Sequence, residues 1–192
     1  MSPNNGKKEY GCLTGNDQNN QSKNFSILST ERKKSTMEDI CVDSISKLVA
    51  ILQVIPTIWF LYTQNKEYLK IQVGWFLVSW SNDILKMLLV KWYPDASWNR
   101  RPGGTHCGML NEPNDPRAPA FPSGHLSTAS YILVSMWLEA SAKSSVQTVL
   151  LVSYLVLLAW SRMKKKCHTL LQTIIGAIYG ALVAVVLHRI RL

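Results

Sequence analysis

From residue 45 onward the chain is a series of apolar runs separated by short polar breaks, at roughly residues 45–63, 71–91, 124–139, 146–160 and 169–188. An α-helix rising about 1.5 Å per residue needs roughly 20 apolar residues to cross a bilayer core. The second and fifth runs meet that length comfortably, whereas the third and fourth are short and suit a thin bilayer. Five buried helices of a soluble bundle would each need a wetted face, and the fourth and fifth runs hold too few polar positions to supply one. The pattern predicts an all-α, polytopic membrane helix bundle of about five spans. Pro56 inside the first run is expected to kink it. Gly176, Ala177, Gly180, Ala181 and Ala184 put small residues on one side of the fifth, a face suited to close helix packing.

Residues 1 to about 40 have a different character, rich in Asn, Gln, Ser, Lys and Gly with almost no apolar periodicity. They are expected to form a disordered polar tail ahead of a membrane-embedded domain over residues 41–192. The tail has neither a continuous apolar core nor a small-residue cleavage site, so it does not read as a secretory signal. A mean hydropathy of +0.01 is therefore an average over two unlike regions. The net charge of +9 is carried mainly by loops and tail, which in a membrane protein speaks for topology and anionic headgroups rather than for nucleic acid. Cys12, Cys41, Cys107 and Cys167 form no CxxC pair, and their spacing indicates neither a zinc site nor a disulfide framework.

With all five runs spanning, the polar loops 92–123 and 161–168 emerge on one side together with the tail. Charge and sequons disagree about which side that is. Arg32, Lys33, Lys34, Lys91, Arg100 and Lys164 to Lys166 load it with positive charge, which favours the cytosol. Asn20-Gln21-Ser22 and Asn24-Phe25-Ser26 are glycosylation sequons, usable only on a lumenal face.

Three polar clusters lie at these loop-bearing ends. Lys86 stands within the second run, where a charge is costly and functional by default, with Asn82 and Asp83 on the same helical face. A snorkelling or internally paired lysine is the plain alternative. Arg101-Pro102 pairs a stiffened backbone with a guanidinium able to grip phosphate through two bonds, although an isolated Arg-Pro is usually just a loop. Pro122-Ser123-Gly124-His125 makes a turn directly before the third run, so that helix-start N–H groups face an anion and His125 stands at its mouth as a proton donor. Alone, His125 would read as an interfacial capping residue. Ser161-Arg162 closes the fourth run and His168 opens the fifth. Gln172, four residues after His168, can reach the ring and fix its tautomer, leaving the other nitrogen free to attack phosphorus. Lys164, Lys165 and Lys166 read as a solvated, headgroup-binding run. A metal triad of His106, His125 and His168 lacks a carboxylate partner and ligand spacing, and is set aside. No metal or other cofactor is expected.

At these residues the chain resembles the type 2 phosphatidic acid phosphatase superfamily of integral membrane phosphatases, whose pattern is K-x6-R-P, P-S-G-H and S-R-x5-H-x3-D. The likeness covers roughly residues 70–188, with 19 residues between Pro102 and Pro122, 35 between His125 and Ser161, and five between Arg162 and His168. Two positions depart from it. Pro94 stands where the first lysine is due, so Lys86 in Asn82-Asp83-Ile84-Leu85-Lys86 is the matching residue, with Lys91 as the fallback. Gln172 replaces the aspartate. That glutamine, with His168-Thr169 and Arg101-Pro102-Gly103-Gly104, is similar to the dolichyl diphosphatase branch.

The resemblance implies a metal-independent hydrolase in which His168 attacks phosphorus. Lys86, Arg101, Arg162 and the Ser123 and Gly124 N–H groups would hold the phosphate, and His125 would protonate the leaving group. It further implies a lipid phosphate as substrate, a polyprenyl diphosphate through the branch likeness, and an internal membrane such as the endoplasmic reticulum. Another lipid phosphate such as phosphatidic acid, or an inactive scaffold of the same fold, are the competing readings. A transporter is disfavoured because the fifth run has no charged residue mid-span and no discontinuous helix pair is evident.

Overall fold

The computed structural model describes residues 37–104, 106–110 and 118–190. Both sequons and most of the expected polar tail lie outside them, and helix begins at Met37, four residues before the expected boundary. All regular structure among the described residues is helical: α1 (Met37–Thr63), α2 (Lys66–Trp92), α3 (Gly124–Glu139), α4 (Ser145–Lys164) and α5 (Leu170–Ile190), plus a short 3-10 turn at Ser97–Asn99.

The helix boundaries follow local chemistry. Gln64 ends α1 in a left-handed conformation, φ 55°, with its N–H donating to Phe60 O at 2.8 Å. Asn65 then caps α2, its Oδ1 accepting the Glu67 N–H at 3.0 Å, and Glu67 itself suits the positive end of the helix dipole. At α4, Ser144 and Gln147 form a reciprocal capping box in which Gln147 Oε1 accepts the Ser144 N–H at 3.2 Å, and Ser144 Oγ also accepts the Val146 N–H at 3.1 Å. The helix containing Pro56 continues through it to Thr63, so the expected kink does not interrupt α1.

Four helices, α1, α2, α4 and α5, are long and apolar enough to cross a membrane. Their outer faces carry large exposed apolar side chains, among them Ile58 at 59 %, Leu150 at 64 % and Leu182 at 59 %. Such surfaces suit lipid and would aggregate in water. The third run is shorter: α3 has 16 residues, or about 24 Å of helix, less than a full hydrocarbon core.

Being short, α3 is also the most enclosed helix. Leu126 and Ala129 pack with Val49 of α1 and Leu158 of α4, while Tyr131 and Ile132 pack with Ile71 and Val78 of α2 and Ala184 of α5. The small-residue face of α5 lies against it as the sequence predicts: Gly176, Gly180 and Ala184 are buried. A Cβ on Gly176 would come within 2.6 Å of Ser123 O, so the two backbones touch there.

Cys107 and Cys167, which the sequence spacing leaves unpaired, are joined in a disulfide with 5.5 Å between their Cα atoms and 60 residues between them in the chain. That expectation is corrected for a geometric reason. The bundle brings the loop after α2 and the turn after α4 to the same end, where Gly104 N–H also donates to Lys166 O at 2.8 Å. A Cβ on Gly104 would meet Lys165 O at 2.5 Å, so this approach requires glycine.

Candidate active site

The last turns of α2 begin the site. Asn82 is buried and Lys86 follows one turn later, its ammonium 3.1 Å from Asp83. The loop that follows is held to its own far end. Asn99 accepts the Ala120 N–H on its backbone carbonyl at 2.9 Å and the Phe121 N–H on Oδ1 at 3.3 Å. Trp98 meets Phe121 edge-on with 5.1 Å between ring centres. Arg101 is delivered to the site by this closed loop.

At the start of α3, Ser123 holds the N-cap position yet makes no side-chain cap bond, and its buried Oγ has no hydrogen-bond partner. Serine normally uses that oxygen to satisfy the helix's own first N–H groups. Here the helix start stays open toward the site. His125 is buried on the first turn and its Nε2 likewise lacks a partner.

Arg162 on the last turn of α4 is fully buried. One of its terminal nitrogens donates to Cys107 O at 2.7 Å, while Nε and the other terminal nitrogen have no partner. The turn folds back upon it, since the N–H groups of Cys167 and His168 donate to Arg162 O at 3.0 and 3.4 Å. His168 stands between α4 and α5, buried, with no partner on Nδ1. Burial first, then the positive fields of Arg162, Arg101 and Lys86, push its imidazole down to about 3, with the Gln172 side chain acting in the opposite sense. The ring is therefore neutral at physiological pH, the form in which nitrogen is nucleophilic.

Lys86, Arg101, Gly124, His125 and His168 line one cavity of about 240 Å³. Ser123, Arg162 and Gln172 are fully buried and stand outside its lining. Lys91, the fallback lysine, is exposed and also lies off the lining. Among the lining residues Asp83 is the one carboxylate, and it is paired with Lys86. Among the described residues no three His, Cys, Asp or Glu side chains stand together as a metal ion would require. Asn82 and Thr128 are among the lining residues that the sequence did not single out as phosphate contacts. Asn82, with an unpartnered buried Oδ1, was legible as a same-face neighbour of Lys86; Thr128 carried no signal beyond its place one turn after Gly124.

Gln172 was expected to hold the His168 ring. Its side chain does bear on that ring, and its amide is engaged with backbone as well: Oε1 accepts the Thr169 N–H at 2.9 Å, and Nε2 donates to Trp98 O at 2.7 Å and Arg100 O at 3.0 Å.

Chemically, the cavity gathers fixed positive charge, an open helix start and two imidazoles around a space of phosphate size. Buried donors lacking protein partners are uncommon in native folds, and here several surround a single space, which suits an anion. No curated protein and no solved structure matches the chain. A family model described as the PAP2 superfamily matches residues 67–192, from the start of α2 through all three polar clusters. With about two thirds of its length matched and the three clusters assembled at one cavity, the chain belongs to the PAP2 superfamily, whose members are phosphatases.

Proposed function

We propose that the protein hydrolyses a polyprenyl diphosphate to the monophosphate and inorganic phosphate through a phosphohistidine on His168. A nitrogen of the neutral His168 ring forms a bond to the terminal phosphorus as the bridging P–O bond breaks. The departing lipid monophosphate takes a proton from His125, whose charged form the bound anionic substrate favours. Water then gives a proton back to His125 as it attacks phosphorus, the P–N bond breaks, and phosphate leaves with both histidines restored. Lys86, Arg101 and Arg162, with the Gly124 N–H and Ser123 Oγ, carry the charge that builds on the equatorial oxygens; the Ser123 N–H, expected to join them, is taken by Gln172 O at 3.1 Å. With that charge supplied by side chains and backbone, the reaction needs no divalent metal. The lipid chain lies along the apolar helix faces, and the resemblance to the dolichyl diphosphatase branch carries the choice of lipid and of an internal membrane such as the endoplasmic reticulum.

The observation that best supports this reading is the set of buried polar groups without protein partners in the three clusters: His168 Nδ1 and His125 Nε2 on residues that line the cavity, with Ser123 Oγ and two nitrogens of Arg162 on residues buried outside its lining. The test is phosphate release from a polyprenyl diphosphate and from phosphatidic acid, in detergent with excess chelator, alongside trapping of a phosphoenzyme. Wild type should release phosphate from the diphosphate and trap label, while His168→Ala does neither. Turnover of phosphatidic acid alone would change the substrate. Activity lost to chelator and restored by a divalent metal would remove the metal-independent mechanism, and near-normal turnover by His168→Ala would remove the nucleophile.

A further inference from the structure

Gln172 bonds to residues in or beside all three polar clusters. It is the third residue of α5 and forms a capping box with Thr169: Gln172 Oε1 accepts the Thr169 N–H at 2.9 Å, and Thr169 Oγ1 accepts the Gln172 N–H at 3.3 Å. Its backbone carbonyl accepts the Ser123 N–H at 3.1 Å. The remaining group is Nε2, which donates to the carbonyls of Trp98 at 2.7 Å and Arg100 at 3.0 Å. Those partners fix which end of the amide is which, because an N–H can only donate and a carbonyl can only accept. The side chain is fully buried.

A capping box needs only the oxygen, and glutamate makes one as well as glutamine does. The cap therefore accounts for Oε1 and leaves the two Nε2 bonds without a role. These bonds reach Trp98 and the residue immediately before Arg101, while the oxygen holds the residue immediately after His168. We infer that Gln172 is a positioning residue whose single amide sets the distance between the Arg101 guanidinium and the His168 ring. It acts on the loop that carries Arg101 as well as on the imidazole, which its side chain also reaches. In a cavity of about 240 Å³, an ångström of drift between the group that grips phosphate and the group that attacks it separates productive from unproductive binding. The inference rests on the reading that Arg101 and His168 meet on one phosphate.

Gln172→Glu tests it with little change of shape. The variant keeps the capping oxygen and replaces the double donor with an acceptor facing two carbonyls. Burial beside those carbonyls raises the carboxyl's pKa, and once protonated the group can donate one of the two bonds. Orthovanadate affinity and kcat on the diphosphate are measured between pH 5 and 8, relative to wild type at each pH. The Cys107–Cys167 bridge and the melting transition report the fold. At pH 8 kcat should fall by about 10²-fold or more and vanadate binding should weaken, with bridge and transition retained. The ratio to wild type should climb as pH falls, a response that a purely structural role does not give. A variant that equals wild type in both readouts across the range overturns the inference.

If Gln172→Glu fails to fold, Gln172→Met keeps the length without either polar end, and a folded Met variant with weakened vanadate binding supports the inference. A Met variant that binds like wild type, or that also fails to fold, reduces Gln172 to a structural residue and overturns it. Wild type that binds vanadate without hydrolysing lipid sinks the phosphatase reading alone. Wild type that does neither sinks both.

Discussion

Arg162 illustrates how much of this site is decided by single side chains. It is a fully buried guanidinium with one bond to Cys107 O and two nitrogens left without partners. A buried charge that is only partly compensated is costly, and a bound anion would repay that cost. Lysine could not replace it, because one ammonium cannot reach the carbonyl and a phosphate oxygen in the same fixed geometry. Arg162→Lys should lower kcat/KM by about 10²-fold or more, since it removes a charge-assisted contact and its geometry. It should also shrink the rise in melting temperature that vanadate gives wild type, and a full vanadate shift in the variant would contradict this role.

His168 gives a second prediction at the same scale. Its folded value of about 3 lies below the ordinary 6.5, so the unfolded chain takes up a proton first. Stability is full above 6.5 and falls as pH drops toward 3. His168→Gln should lose less melting temperature over that interval than wild type does, and parallel curves would show that the imidazole is not held neutral. The sequence made both residues legible as candidates through their spacing. It could not show the partners of Gln172 Nε2, because these are backbone carbonyls, which every residue carries and no residue type announces.

Among the elements, the pairing of α3 with α5 decides where the helix start points. Gly176 and Gly180 share one face of α5, but a Cβ on the first would press on Ser123 at the open helix start, and a Cβ on the second on Ser127 one turn deeper. Both alanine variants should be destabilised by overpacking, by about 1–3 kcal/mol. Gly176→Ala should lose kcat well beyond what its melting temperature explains, whereas Gly180→Ala should keep its kcat per folded molecule. Equal effects of the two on kcat would separate the α5 contact from the chemistry.

The helices were largely legible, because apolar runs of bilayer length leave few alternatives. Less visible was that the shortest run is the enclosed one. Its residues read much like those of its neighbours, and only packing on all sides distinguishes it.

Taken whole, the molecule has two unlike ends. The end away from the site is joined by a turn at residues 64–65 and by the contact of His188 with Glu139 at 2.8 Å. The site end is cross-linked: Lys165 pairs with Asp43 at 2.9 Å, Lys164 with Glu38 at 2.7 Å, and Cys107 is bonded to Cys167. The ion pairs are partly exposed and contribute little individually. The disulfide differs in kind, because it ties the residue next to His168 to the loop that Arg162 holds through Cys107 O. Its pairing was hidden in the sequence, since two cysteines 60 residues apart carry no mark of the loops that bring them together.

A cystine survives where glutathione and thioredoxin do not reach it. The site end is accordingly expected to face away from the cytosol, against the count of basic residues and in line with the sequons. A membrane-impermeant reductant should quench activity in vesicles whose site end faces outward and spare it in the opposite orientation; quenching only in the opposite orientation would reverse the assignment. The bridge thus bears on lipid traffic. With the site end so oriented, a lipid phosphate made on the cytosolic leaflet would have to flip before this protein could act on it, and the dephosphorylated lipid and its phosphate would be set free on the far side, each needing its own route back.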